Sequence, residues 1–468
     1  MSDYSYVITT GHDVVIHLRV MPYSANNVQM QPAGGAISPR PSLNSFGKST
    51  RGSLPILKVL LLQLPKELFL TTLSIMDKII FTEEFCQPEN LHPFTLTRQI
   101  QDIRVGILTI REKWEHMLGL SSYDKKEDDY KDLDRSISIS EAAKDHDVCF
   151  MIHGNILPTP KLVKAARKLK NGEFLSVKGR EGIVFRFTGS EIEERHKIKV
   201  KKAVTVHEEA VAIQYPWNIF QLNDWAIRQD FELITRKRKS QRLSKTNKAI
   251  QSSSIFIEKG VKMEHCTLNA STGPIYIGKN AEIMEGCMIR GPFALGEGSL
   301  LKMGAKIYGA TTIGPSCVAG GEIKNAVLFG YSNKAHDGYL GDSVIGEWCN
   351  MGAGTSNSNL KNTASEIKVW TPNGKIGAGK KCGVMMGDYS RTAVNTAINT
   401  GTVIGVCCNV FGNGLTPKHI PSFSWGSDGF DRYSFEKAVT DIDAWKKLKG
   451  HSISDNEKMV LKYIFDKY

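Results

Sequence analysis

One histidine, two lysines, a tyrosine and two asparagines stand out in the second half of this 468-residue chain. His336 lies between Lys324 and Tyr339, Asn350 and Asn359 follow, and Lys306 precedes Lys324 by 18 residues. A neutral imidazole can act as a general base at neutral pH, and that role needs no metal. Two fixed cations suit an anionic group on the acceptor, a phosphate above all. Such chemistry requires elements that put both lysines on one face and hold the histidine in a loop beside them.

The surrounding pattern supplies those elements. Of 42 glycines, 27 fall between positions 251 and 420. Aliphatic residues recur there every six positions, at Ile277, Ile283, Ile289, Leu295, Leu301, Ile307 and Ile313. The residue four further on is small (Ala281, Cys287, Ser299, Ala305, Thr311, Cys317), with Phe293 the exception. A six-residue period fits neither a 3.6-residue helix nor a hairpin; it is the period of a triangular parallel β-helix, one hexad per flat side. The aliphatic residue fills the prism and the small one fits its corner. On this register Lys306 and Lys324 stack one coil apart. The pattern returns at Ile345, Met351 and Ile404 but fails over 331–340 and 356–374, which predicts loops thrown off the prism where function tends to sit. Cys407 and Cys408 are adjacent, yet Cys408 fills the small slot of its hexad, as do Cys287, Cys317 and Cys349, so burial explains them better than redox chemistry. Two helices follow, over 434–450 and after the capping box 454-SDNE-457.

Between 76 and 235, apolar runs (78–81, 103–110, 148–152, 183–187) alternate with helical stretches such as 160–172, an α/β pattern. Residues 236–252 read as a basic linker. Residues 1–75 are polar and aperiodic, then abruptly apolar, which fits a start at Met76, a flexible arm or an interfacial anchor. The net charge of +12 comes without aromatics interleaved among the basic runs, so anionic small substrates are as plausible as nucleic acid. Nine cysteines with no C-x-x-C pair exclude a zinc ribbon and a closed disulfide framework and fit a reducing cytoplasm. The longest apolar stretch, 54–76, is interrupted by Pro55, Lys58, Pro65, Lys66 and Glu67, so no membrane span is expected.

The stretch 322–359 resembles the acetyltransferase half of the bifunctional GlmU family, N-acetylglucosamine-1-phosphate uridylyltransferase/glucosamine-1-phosphate N-acetyltransferase. The family pattern runs E-x-K, K-A-x-H-x-x-Y-L-G-D, I-G, N-x-G-A-G-T and a final Asn, and it is read here along 322–359. The resemblance implies His336 as general base, Lys324 and Tyr339 as holders of the sugar phosphate, and Asn350 and Asn359 as positioning groups. It puts Lys306 where the family usually has an arginine, so the charge is kept and the bidentate fork is lost. Acetyl-CoA, the cosubstrate, would lie outside the coils near 398–414, and the β-helix would form a homotrimer.

The segment 91–114 is similar to the L-x-P-L-T-x-T-R-P region of sugar-phosphate nucleotidyltransferases. By that resemblance Arg98, Arg104 and Lys113 would contact nucleotide phosphates, with Asn155 and Asn218 near the Mg²⁺ of the nucleotidyl step. The loop 81–90 holds no glycine to cradle a triphosphate, and Asn155 stands where the pattern has an Asp. The fold expected overall is an α/β nucleotidyltransferase-like domain (76–235), a left-handed parallel β-helix of hexapeptide repeats (253–415) and a short helical tail (416–468). The activity implied is acetylation of glucosamine-1-phosphate coupled to uridylyl transfer from UTP. Its rivals are a nucleotidyltransferase of other specificity, such as glucose-1-phosphate with dTTP, an acetyltransferase with an inactive N-terminal half, and a non-catalytic β-helix scaffold.

Overall fold

The computed structural model describes residues 5–10, 14–19, 77–126, 130–131, 135–143, 147–192, 198–427 and 431–468. Within 1–75 the described part is an antiparallel pair of strands, Ser5–Thr10 and Val14–Arg19. The readings of that prefix as arm, anchor or false start lie outside the described residues.

The N-terminal half is a mixed seven-stranded sheet. Its strands are β1 (Lys78–Thr82), β2 (Ser122–Lys125), β3 (Ser136–Ile137), β4 (Cys149–His153), β5 (Glu173–Lys178), β6 (Arg180–Phe187) and β7 (Lys202–Glu209), in the order β3-β2-β1-β4-β6-β5-β7. β1 runs parallel to β2 and β4, whereas β4 and β6 are antiparallel. β4 is buried along its whole length because both faces of the sheet are covered.

The run 103–110, expected as a strand, is not one. It leads from a 3₁₀ turn at Ile100–Asp102 into α1 (Ile110–Leu118), which opens with a capping box between Thr109 and Glu112 and closes on left-handed Gly119. The helix expected over 160–172 is α2 (Pro160–Ala166). Two more helices, α3 (Pro216–Gln221) and α4 (Asn223–Thr235), lead toward the second half.

That second half is the left-handed β-helix. Three parallel sheets of six, nine and eight strands form its sides. Ile277, Leu295 and Ile313 stack on one side, Ile283 and Leu301 on the next, and Ile289 and Ile307 on the third, none more than 2% exposed. Phe293, the exception to the small-residue rule, is fully buried in the same core. All nine cysteines are free thiols, and Cys287, Cys317, Cys349, Cys407 and Cys408 are buried, with Cys407 at a left-handed corner.

Two boundaries differ from expectation. Residues 236–247, within the stretch 236–252 read as a linker, are hydrogen-bonded to the prism, with the Gln241 amide bonded to Val261 and the Asn247 side chain bonded to Met263 and Cys266. The last strand is His419–Ile420, beyond the expected end at 415. Helices α5 (Phe435–Lys447) and α6 (Asp455–Lys467) then lie on the prism, burying Ala438, Ile442, Leu461 and Ile464 against Tyr389, Val406 and Phe423. No helix among the described residues is long and apolar enough to cross a membrane.

The halves share one core: Phe94, Ile103 and Phe220 from the first pack in one cluster with Phe329, Val344, Ile367 and Val369 from the second. Asn223 ties them by hydrogen bonds. Its side chain accepts from the Gly106 amide and the Thr312 hydroxyl and donates to the Ala310 carbonyl. The loop 358–384 leaves the prism as an antiparallel hairpin, Lys368–Thr371 with Gly374–Gly377, and its turn residue Asn373 bonds Asn90 of the first half.

Candidate active site

The prism wall of six strands carries the first cluster. Tyr308, Lys324 and Gly341 are register neighbours on successive strands, and Glu322 pairs with Tyr339. Side chains alternate in and out along a strand, so Ile307, Ile323 and Leu340 fill the core while Tyr308, Lys324 and Tyr339 face outward. The Lys324 ammonium sits 5.6 Å from the centre of the Tyr308 ring, whose hydroxyl donates to Glu322 at 2.5 Å. A Cβ on Gly341 would stand 2.2 Å from the Tyr339 hydroxyl, so only glycine lets that ring fold across the strand. The hydroxyl then accepts from Asn359 Nδ2 at 3.0 Å, and the same amide donates to Asp342 at 2.5 Å. Asp342 also accepts from Asn325 at 2.7 Å. Burial and the Asp342 carboxylate push the Tyr339 phenol up to about 12, so it stays protonated and able to donate.

His336 lies exposed in the corner loop that leads into the Tyr339 strand. Among the described residues its imidazole makes no hydrogen bond. The loop is pinned from below by Lys334, a residue the sequence reasoning missed. Lys334 pairs in register with Ala319 at an inward-facing position, is 2% exposed, and donates its ammonium to the carbonyls of Gly320 (3.2 Å) and His336 (2.5 Å). Burial pushes that ammonium down to about 8. Because the folded value lies below the unfolded one of 10.5, the folded chain holds fewer protons between these limits, and stability rises with pH across that window. Lys334→Met is expected to raise unfolding free energy at pH 7, by about 3 kcal/mol at most, to flatten the pH 8–10.5 rise and to lower kcat with little change in KM. Denaturant titrations at pH 7 and 9.5, together with steady-state rates, check this; an unchanged kcat would leave Lys334 a mere space-filler.

The remaining candidates are placed as follows. Lys306 does not stack on Lys324: its register neighbour is Glu322, because the coil there is 16 residues long and not 18. The two lysines share a sheet face but stand diagonally. Asn350 lies on the neighbouring eight-stranded wall, in register with Asn333 and Arg391, so one chain does not bring it to Tyr339.

In the N-terminal half the expected phosphate contacts are engaged elsewhere. Arg98 forms a buried ion pair with Asp388, lies 3.7 Å from Glu347 and stacks on Phe329. The 460 Å³ cavity it borders is lined by Asp102, Asp124, Glu347, Asp388 and Glu457 against Arg98, Lys131 and Arg135, a poor setting for a phosphate. Arg104 bonds the carbonyls of Phe329 and Ile107. Lys113, 3% exposed, is paired with buried Asp230, which also accepts from the amides of Ile107 and Leu108. These are structural ties that the charge pattern alone could not reveal. Asn218 is likewise no metal ligand: its oxygen accepts from the amides of Gln214 and Tyr215 and so caps α3. Asn155 lines a 360 Å³ cleft at the carboxyl ends of β1 and β4.

Comparison with known proteins follows this division. Residues 79–239 match the family described as sugar nucleotidyl transferase. A bifunctional sugar-1-phosphate nucleotidylyltransferase/acetyltransferase of Sulfurisphaera tokodaii is 28% identical over 212 residues, 44% of this chain and 45% of that one. The bifunctional protein GlmU of Methanocaldococcus jannaschii is 31% identical over 101 residues, 22% of this chain and 25% of that one. An uncharacterized acetyltransferase of Escherichia coli, YaiX, is 30% identical over 179 residues, 35% of this chain and 74% of that one. The chain belongs to a divergent GlmU-like family.

The matched segments span less than half of the first two relatives' lengths, at 45% and 25%. A solved Arabidopsis UDP-N-acetylglucosamine acyltransferase overlies this GlmU-like chain only loosely, at 17% identity and a TM-score of 0.23 over 48% of this chain and 97% of that one. The GlmU-like pattern K-A-x-H is one residue shorter here, Lys334-Ala335-His336, and the adjoining coil is shortened too, with Val318 pairing to Asn333.

Proposed function

We propose that this chain transfers the acetyl group of acetyl-CoA to the amine of glucosamine-1-phosphate. The observation that supports this most is the convergence of Lys324, Tyr339 and Asn359 on one prism face, beside the loop that presents His336. In this reading Lys324 holds the phosphate, the Tyr339 phenol donates to the sugar phosphate, and Asn359 orients the ring. The neutral amine attacks the thioester carbonyl, His336 takes its proton as the tetrahedral intermediate forms, and the C–S bond breaks to release coenzyme A. Coenzyme A lies along the coils of 398–414, where Phe411 is exposed. Asn350, on the neighbouring wall, reaches this cluster across a subunit contact in a homotrimer. Acetyl-CoA and UTP as substrates imply a cytoplasmic site of action.

In its full form the reading couples acetylation to uridylyl transfer from UTP, giving UDP-N-acetylglucosamine. The family match of residues 79–239 supports the general nucleotidyl activity. Mg²⁺, however, does not fit the residues expected to hold it. Asn218 is turned to a helix cap, and Asn155, which does line the cleft, offers a neutral amide in place of a carboxylate. Those two departures favour the second reading, an acetyltransferase whose N-terminal half does not transfer nucleotides.

The test is to supply acetyl-CoA and glucosamine-1-phosphate and follow N-acetylglucosamine-1-phosphate by mass. Formation of product is the expected result, and a folded protein that forms none would return the chain to the scaffold reading. Lys324→Ala is expected to raise KM for the sugar phosphate about 10- to 100-fold with kcat little changed, since a charge-assisted contact made equally in ground and transition states is lost. Initial rates over a range of sugar-phosphate concentrations check it.

A further inference from the structure

The N-terminal cleft is built from an unusual set of groups. Its floor is His153 and Asn155, each 6% exposed, at the end of β4. Asn155 Nδ2 is fixed by the Ile213 carbonyl at 3.1 Å, which leaves Oδ1 as a buried acceptor with no partner. His153 Nε2 is buried and unpartnered as well. Burial pushes this imidazole down to about 4, so the ring is neutral. Orphaned polar atoms beside a 360 Å³ cavity call for a ligand that returns their hydrogen bonds.

The same surroundings are ill suited to a triphosphate. In the loop after β1 the amides of Glu84, Cys86 and Asn90 are taken by Thr82, Glu83 and Gln87. Among the described residues that line the cleft Arg180 is the one cation, and it is followed by Glu181. Against this, Phe85 stands 59% exposed at the cleft and stacks on His153 with ring centres 4.9 Å apart. An exposed aromatic face over neutral amide and imidazole groups matches the apolar face and hydroxyl edge of a sugar ring.

We propose that the cleft at the carboxyl ends of β1 and β4 is a metal-independent binding site for a neutral, hydroxyl-rich pyranose ring and not a nucleotidyl-transfer centre. It deepens the second reading above and is independent of acetyl transfer at His336, which is read separately by product mass.

The test titrates N-acetylglucosamine into the full chain by calorimetry, with Mg²⁺ and with EDTA. Binding is expected with the same Kd in both. Phe85→Ala is expected to weaken it about 10-fold, and Asn155→Leu at least as much. Because Phe85 is largely exposed, its truncation has little folding cost that could imitate the effect. Two outcomes overturn the proposal: pyrophosphate release from UTP, N-acetylglucosamine-1-phosphate and Mg²⁺ that Asn155→Leu abolishes, or sugar binding that neither Phe85→Ala nor Asn155→Leu alters.

Discussion

His336→Ala is expected to slow acetylation of glucosamine-1-phosphate by about 10²- to 10⁴-fold, the range that a positioned general base supplies. The variant should fold normally, because the imidazole is exposed and makes no hydrogen bond among the described residues. KM for the sugar phosphate should hold, since Lys324 and Tyr339 belong to the wall and Asn359 to the 358–384 loop, none of them to the corner loop that carries His336. Single-turnover rates, set beside initial rates over a range of sugar-phosphate concentrations, separate the two quantities. A variant within about threefold of native would remove His336 from the chemistry.

The second large effect concerns stability. Asp388, 3% exposed, accepts from Thr97 Oγ1 at 2.7 Å and the Glu347 amide at 2.8 Å, and it pairs with Arg98 across the junction of the two halves. Asp388→Ala strands the buried guanidinium, 10% exposed and held otherwise by Phe329 and a Glu347 contact at 3.7 Å. Removal of one member of a buried pair costs about 3–5 kcal/mol. Urea unfolding followed by tryptophan fluorescence should show a loss of that size, with Asp388→Asn intermediate because it keeps the shape and forfeits the charge. A loss under about 1 kcal/mol would mean that the junction is held by its apolar contacts alone.

The prism was legible because its period is written in residue size: Ile277 to Ile313 repeat strictly and every one is buried. Part of the outward cluster was legible from its motif: the Asn359 amide meets the Tyr339 hydroxyl beside the strand that carries Lys324. Counting by six ends at Ile313 and could not see the shortened coils beyond it, which drop residues at corners and so shift Lys306 off Lys324. Lys334 was invisible for the opposite reason. A lysine in a core slot reads as a break in the pattern, and its purpose lies in two carbonyls that only the folded corner brings within reach. The basic residues of 98–113 were misread because charge says nothing about partners: Arg98 finds Asp388 at a separation of 290 residues and Lys113 finds Asp230 at 117.

The apolar cluster common to both halves sets a limit on how this architecture can be rearranged. A breakpoint placed at 236–247 would leave Phe329, Val344, Ile367 and Val369 without their cover of Phe94, Ile103 and Phe220. The hairpin at 368–377 would likewise lose its anchor at Asn90. The halves are therefore not interchangeable cassettes. A chimera that exchanges one of them must carry its matching surface along, and a truncated β-helix should be recovered only as an aggregation-prone fragment.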